Sequence, residues 1–109
     1  ITFNAMDEAL LKRAMAIVEK NMDNIEFSTD KFAREMNMSR SNFYRKIKAL
    51  SGMSPNDYLK ALRMNKAAEL IQGGTRISEV AAQVGFTSSS YFAKCFQKQF
   101  GVLPKDFVS

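Results

Sequence analysis

Between Arg40 and Lys48 the chain gathers side chains suited to recognition rather than reaction. They are the guanidinium groups of Arg40 and Arg45, the amide of Asn42, the hydroxyls of Ser41 and Tyr44, and the ammonium groups of Lys46 and Lys48. An arginine fork donates two hydrogen bonds to guanine O6 and N7, an asparagine amide pairs with an adenine edge, and an aromatic ring packs on a thymine methyl. At helical spacing Phe43, Ile47 and Leu50 share one face, while Ser41, Arg45 and Lys48 share the opposite one, flanked by Asn42 and Tyr44. The pattern makes Ser41, Asn42, Tyr44 and Arg45 base-contacting candidates. It makes Arg40, Lys46 and Lys48 phosphate-contacting candidates, which position a helix without reading sequence.

A second set lies in residues 89–100. Phe92 and Phe96 define an inner face with Phe100 behind them, and Ser90, Lys94 and Gln97 fall outside. Ser89, Ser90, Ala93 and Lys94 are the base-contacting candidates here. Ala93 suits a thymine methyl, and the two serines can bond to bases, phosphates or their own backbone. Gln97 and Lys98 are the phosphate-contacting candidates. The side chains are shorter and less charged than in the first set, so weaker direct readout is expected.

The elements that must hold these residues are written twice. Residues 32–58 run Phe-Ala-x-x-Met-Asn-Met-Ser-Arg-Ser-Asn-Phe-Tyr-Arg-Lys-Ile, then Gly-Met-Ser-Pro-Asn-Asp-Tyr. Residues 80–107 run Val-Ala-x-x-Val-Gly-Phe-Thr-Ser-Ser-Ser-Tyr-Phe-Ala-Lys-Cys-Phe, then Gly-Val-Leu-Pro-Lys-Asp-Phe. The offset is 48 residues before Thr87 and 49 after it. Each copy implies a short helix, a tight turn and a capped second helix. That is the outline of a helix-turn-helix, which offers its second helix to a DNA major groove.

Local signals give an all-α class of about seven helices, with no strand alternation. An amphipathic supporting helix is expected over Asp7–Met22. Ser28 or Thr29 should cap a second helix that ends near Met36, with Asn37 in the turn. Ser39 should cap a third over Arg40–Leu50, stopped at Gly52. Ser54-Pro55 should start a long helix to Ile71 or Gln72, ended by Gly73-Gly74. Ser78 is expected to cap the next helix, with Gly85 in a left-handed turn. Ser88 should cap the last long helix, Gly101 stop it, and Pro104 open a final short turn. The expected organisation is a lead-in at 1–6, a first lobe at 7–53, a linker helix at 54–72 and a second lobe at 73–109.

Composition narrows the function. The 109 residues carry a net charge of +5, and residues 34–66 alone hold eight basic and two acidic side chains. An acidic partner is favoured. There is no histidine and one cysteine, Cys95, so neither a Cys–His pair nor an internal disulfide can form. The glycines make no phosphate-binding loop. An enzyme is disfavoured, and no metal or cofactor is expected. The first residue is Ile1 rather than methionine, so a missing N-terminal portion is expected.

The residues quoted above resemble the DNA-binding domain of AraC/XylS-family bacterial transcription regulators, from Phe27 to Phe107. The combination of Val84-Gly85-Phe86, Ser90-Tyr91-Phe92 and Gly101-x-x-Pro104 carries the resemblance, together with Arg63-x-x-Lys-Ala-Ala-Glu-Leu-Ile. Phe43 and Ile47 stand where that family usually has Leu and Phe. The resemblance implies two helix-turn-helix lobes joined by a long central helix. It places Ser41, Tyr44, Arg45, Ser89, Ser90, Ala93 and Lys94 at base-reading positions. The lead-in from Met6 resembles the version attached to hybrid sensor kinase–response regulators, which implies an upstream sensor or receiver domain. The partners so implied are double-stranded DNA and, for an activator, RNA polymerase; the lack of any apolar run of about 18 residues adds the expectation of no membrane contact, and the single cysteine fits the reducing cytoplasm. The rival readings are a basic helical protein–protein adaptor and a single-strand RNA binder. The adaptor calls for exposed apolar anchors on the outer faces and the RNA binder for exposed stacking aromatics.

Overall fold

A computed structural model describes residues 4–107. Its elements are α1 (Ala5–Lys20), α2 (Thr29–Glu35), α3 (Arg40–Ser51), α4 (Pro55–Gln72), α5 (Ile77–Gln83), α6 (Ser89–Phe100) and a closing 3-10 turn (Pro104–Asp106). No strand occurs among the described residues. Residues 1–3 of the expected lead-in lie outside them.

The chain divides into two compact units. The first holds the described residues up to Asn21 together with Phe27–Leu59; the second holds Met22–Glu26 and the described residues from Lys60 on. α4 therefore begins in one unit and ends in the other. The connector between α1 and α2 belongs to the second unit.

In the first unit α2 packs against both α1 and α3. Its core is Ala14 and Val18 from α1, Phe27, Phe32, Ala33 and Met36 around α2, and Phe43 and Ile47 from α3. The Phe32 ring meets Phe43 edge-on at 4.8 Å and Phe27 at 5.6 Å. Such pairs add to the burial of large apolar side chains. α1 runs two residues earlier than the Asp7–Met22 expected. Asn4 caps it by accepting from the Asp7 amide at 2.8 Å, and Asn21 closes it by donating through its side chain to the Ile17 carbonyl at 2.8 Å.

In the second unit α5 and α6 enclose Val80, Ala81, Val84, Phe92 and Phe96, with Met64 and Ala67 buried from α4. Phe96 lies at the centre of an aromatic chain, 4.6 Å from Phe100 and 5.3 Å from Phe107 between ring centres. The turn that begins at Pro104 brings Phe107 back onto α6, which is why a short coda follows the Gly101 stop. Ser78 does not cap α5. The helix starts at Ile77 with Arg76 as its cap residue, and no side chain serves the free amides there. Ser78 is already inside the first turn, where its hydroxyl no longer faces them. α4 ends at Gln72, and Gly74 closes it in a left-handed turn, with the Thr75 amide donating to the Leu70 carbonyl at 2.9 Å. That tight closure launches the chain into α5 sooner than the serine signal suggests.

Candidate nucleic-acid interface

The two turns repeat bond for bond. After α2, the Asn37 amide donates to the Arg34 carbonyl at 3.0 Å and the Met38 amide to the Ala33 carbonyl at 3.0 Å. After α5, the Gly85 amide donates to the Ala82 carbonyl at 3.1 Å and the Phe86 amide to the Ala81 carbonyl at 2.9 Å. Every one of these pairs is displaced by 48 residues. Asn37 takes φ +58° and Gly85 φ +83°, the left-handed geometry that closes a helix in this way.

The second helices repeat as well, now displaced by 49. Ser39 caps α3 by accepting from the Asn42 amide at 3.2 Å, and Ser88 caps α6 by accepting from the Tyr91 amide at 3.1 Å. At the other ends the Gly52 amide donates to Lys48 at 2.9 Å and the Gly101 amide to Gln97 at 2.8 Å. Both glycines are left-handed. Cap, helix of twelve residues and glycine stop thus recur in the same register.

Glycine is required at residue 85 for a reason that residue 37 does not share. A Cβ on Gly85 would lie 2.8 Å from the Met22 carbonyl oxygen and 2.8 Å from Cζ of Arg63. Arg63 is buried, and its Nη2 donates to the Asn24 carbonyl at 2.9 Å while its Nε finds no partner. Burial strips water from the guanidinium and lowers its pKa below the usual arginine value. The connector 22–26, α4 and the α5–α6 turn therefore meet on one cation. Sequence reasoning had no means of finding this, because an arginine within a helix normally reads as a solvated side chain.

On α3 the structure exposes Arg40, Ser41, Asn42, Tyr44, Arg45, Lys46 and Lys48, and buries Phe43 and Ile47 beneath them. Arg40, Ser41, Tyr44 and Arg45 border one shallow surface groove. Met38, Asn42, Arg45, Lys46 and Ala49 border another, so Arg45 stands between the two. Nη2 of Arg45 donates to Oδ1 of Asn42. The flanking cations have carboxylate neighbours: Arg40 lies 3.4 Å from Asp30, and Nζ of Lys46 lies 3.3 Å from Oδ1 of Asp7.

On α6, Ser89, Ser90, Lys94, Gln97 and Lys98 are exposed and Ala93 is half-buried. Ser90 shares a hydrogen bond of 3.3 Å with Ser88, so its hydroxyl is in part engaged at the helix start. Cys95 is half-buried at the edge of the core. Two residues that sequence reasoning passed over join this surface. The exposed Tyr91 packs on Phe86, and its hydroxyl accepts from Nζ of Lys60 at 3.1 Å. The cation of Lys60 also lies 5.6 Å from the centre of the Tyr91 ring.

Among the described residues no cluster of three or more His, Cys, Asp or Glu side chains could hold a metal ion. No described helix is long and apolar enough to cross a membrane. The outer faces of α3 and α6 carry hydroxyl, amide and cationic groups, with Tyr44 and Tyr91 the large apolar side chains exposed there.

Two capped helices, each following a left-handed turn and each turning a polar face outward, define a helix-turn-helix DNA-binding protein. A family model described as "Helix-turn-helix domain" matches residues 32–109. The chain belongs to the AraC-type helix-turn-helix family of bacterial transcription regulators, whose fold is that of a DNA-binding module rather than an enzyme. It is 42% identical over 108 residues to "Histidine kinase P4" of Formosa agariphila, a match that covers 98% of this chain and 8% of that protein. A transcriptional regulator structure from Chromobacterium violaceum, with an AraC-type DNA-binding domain, superposes with a TM-score of 0.82 at 29% identity. It covers 94% of this chain and 92% of that one. The DNA-binding domain of AdpA in complex with a target DNA gives a TM-score of 0.76 at 26% identity, covering 88% and 86%. The chain spans about a third or less of the length of the curated relatives it matches.

Proposed function

We propose that the chain reads DNA sequence by placing α3 and α6 in successive major grooves. In this reading Ser41, Tyr44 and Arg45 on α3, and Ser89, Ser90, Ala93 and Lys94 on α6, face base edges, and Asn42 stands beside Arg45. Arg40, Lys46, Lys48, Gln97 and Lys98 engage phosphates. The observation that carries it is the repeated turn, cap and stop, which presents two helices of equal length with polar outer faces. α3 bears the larger and more charged side chains, so it supplies most of the direct readout. α6 contributes mainly electrostatic and shape contacts.

In the full protein this chain acts as the DNA-binding output of a longer signalling regulator, downstream of a sensor or receiver domain and working in the cytoplasm. The match to a small fraction of a much longer histidine kinase supports that placement. Where the regulator activates, RNA polymerase is its second partner.

The test is selection from a randomised duplex pool at moderate salt, followed by sequencing of the bound fraction. A bipartite motif with half-sites roughly one helical turn apart (about 10 base pairs) is expected. A single half-site would confine base reading to one lobe. No enrichment, with binding that vanishes as salt rises, would leave only nonspecific charge attraction and refute the reading.

A further inference from the structure

We infer that Asn42 is a positioning residue for Arg45: it sets base preference by aiming that guanidinium, and does not read a base of its own. The inference rests on Arg45 being a base reader. The two residues are three apart on α3, a spacing that brings side chains on an exposed helix face together. Oδ1 of Asn42 accepts from Nη2 of Arg45. That oxygen is the atom an asparagine would need to accept from N6 of adenine in a paired contact, so holding Arg45 and reading adenine compete for it.

The kind of acceptor matters. Arg40 and Lys46 on the same helix lie beside the carboxylates of Asp30 and Asp7, whose negative charge faces theirs. Arg45 is held instead by a neutral amide. A neutral acceptor orders a long, rotamer-rich side chain and leaves the positive charge intact. It also engages one edge of the guanidinium, leaving the other N–H groups for the forked contact to guanine O6 and N7. Arg45 borders both surface grooves that flank α3, so its orientation decides on which side of the helix the fork is presented.

The second copy places a cation's acceptor in the same register. Forty-nine residues after Asn42 stands Tyr91, whose hydroxyl accepts from Lys60 at 3.1 Å. In both repeats the third residue of the exposed helix holds a cation, although the donor comes from the same helix in one and from α4 in the other.

The test compares Asn42→Ala, Asn42→Asp, Arg45→Ala and the Asn42→Ala/Arg45→Ala double variant of this chain. Each is carried through selection from the randomised pool and through titration on the selected duplex and on random duplex. Asn42 and Arg45 are exposed, and helical circular dichroism confirms that each variant is folded. Asn42→Ala is expected to relax preference at the same base pair as Arg45→Ala and to weaken specific binding roughly threefold or more, with random-duplex affinity unchanged. The double variant should bind no more weakly than Arg45→Ala alone. Asn42→Asp keeps the acceptor but adds a carboxylate, so it should retain the base preference while weakening binding to specific and random duplex alike. Relaxation at a different base pair, or losses that multiply in the double variant, would show that Asn42 reads its own base and overturn the inference. An equal loss from Asn42→Ala on all sequences would make Asn42 a phosphate contact and overturn it too. If Arg45→Ala relaxes a base pair and Asn42→Ala changes nothing, this inference alone fails. If Arg45→Ala leaves every base preference intact, the assignment of Arg45 as a reader fails, and this inference with it.

Discussion

Substituting alanine at Gly85 isolates the part of the fold that a single cation holds together. Three glycines, Gly52, Gly85 and Gly101, sit at φ between +77° and +83°. An L-residue in that region costs about 1–2 kcal/mol at each. At Gly52 and Gly101 nothing lies within 4 Å of the added Cβ, so the cost stops there. At Gly85 the Cβ meets the Met22 carbonyl oxygen and Arg63 Cζ, both at 2.8 Å. Neither can retreat cheaply, since one is backbone and the other is buried and bonded to the Asn24 carbonyl. Forcing a methyl into a packed site adds about 1–3 kcal/mol, and loosening a hydrogen bond to a charged group adds roughly as much again. Gly85→Ala should therefore lose about 3–8 kcal/mol against about 1–2 kcal/mol for Gly52→Ala or Gly101→Ala. That difference is a large share of the roughly 5–15 kcal/mol typical of a whole domain. Urea unfolding followed by circular dichroism measures it, provided the three variants share one denaturant slope. Equal losses at all three positions would refute the argument, because backbone conformation alone would then account for Gly85.

Four further outcomes are expected. Arg45→Ala should cost about 1–3 kcal/mol on the selected site and relax one base position, whereas Lys98→Ala should weaken binding to specific and random duplexes alike; fluorescence titration on both duplexes distinguishes them. Asp7→Asn should strengthen binding to random duplex and steepen its dependence on salt, because it removes the carboxylate 3.3 Å from Nζ of Lys46. Phe96→Ala should destabilise the chain by about 3–5 kcal/mol, since this fully buried ring packs against Phe92, Phe100 and Phe107; thermal unfolding reads the loss. Burial raises the pKa of Tyr58 above the ordinary value of 10.0. The folded state thus holds that proton more tightly than the unfolded state. Its contribution is fully present below the unfolded pKa and is lost as pH rises through the folded one. Denaturation at alkaline pH, compared between the wild type and Tyr58→Phe, should show a smaller loss in the variant.

The sequence by itself determined most features whose cause lies within a few residues, the start of α5 excepted. Ser28, Ser39, Ser54 and Ser88 each accept from an amide three residues on, as their spacing before the helices predicts. Asn37 and Gly85 take the left-handed turn, Gly52 and Gly101 stop their helices, and Phe43, Ile47, Phe92 and Phe96 face inward. The 48-residue and 49-residue offsets were legible because duplicated local rules leave duplicated letters, and the exposed faces of α3 and α6 follow from helical periodicity once the inner faces are known. Tertiary structure decided the rest. Ser78 reads as a cap only until the closure of α4 at Gly74 sets where α5 begins. Met22 reads as the end of α1, yet it belongs with the second unit. Arg63 looks like any solvated helical arginine, but a carbonyl 39 residues earlier in the chain accepts its hydrogen bond and a glycine 22 residues later makes room for it. Asn42 has the letters of a base reader, and only side-chain geometry shows its oxygen accepting from Arg45. Capping, turning and amphipathicity are interactions among near neighbours, so a sequence displays them. Burial of a charge and the aim of a side chain depend on what the folded chain brings alongside.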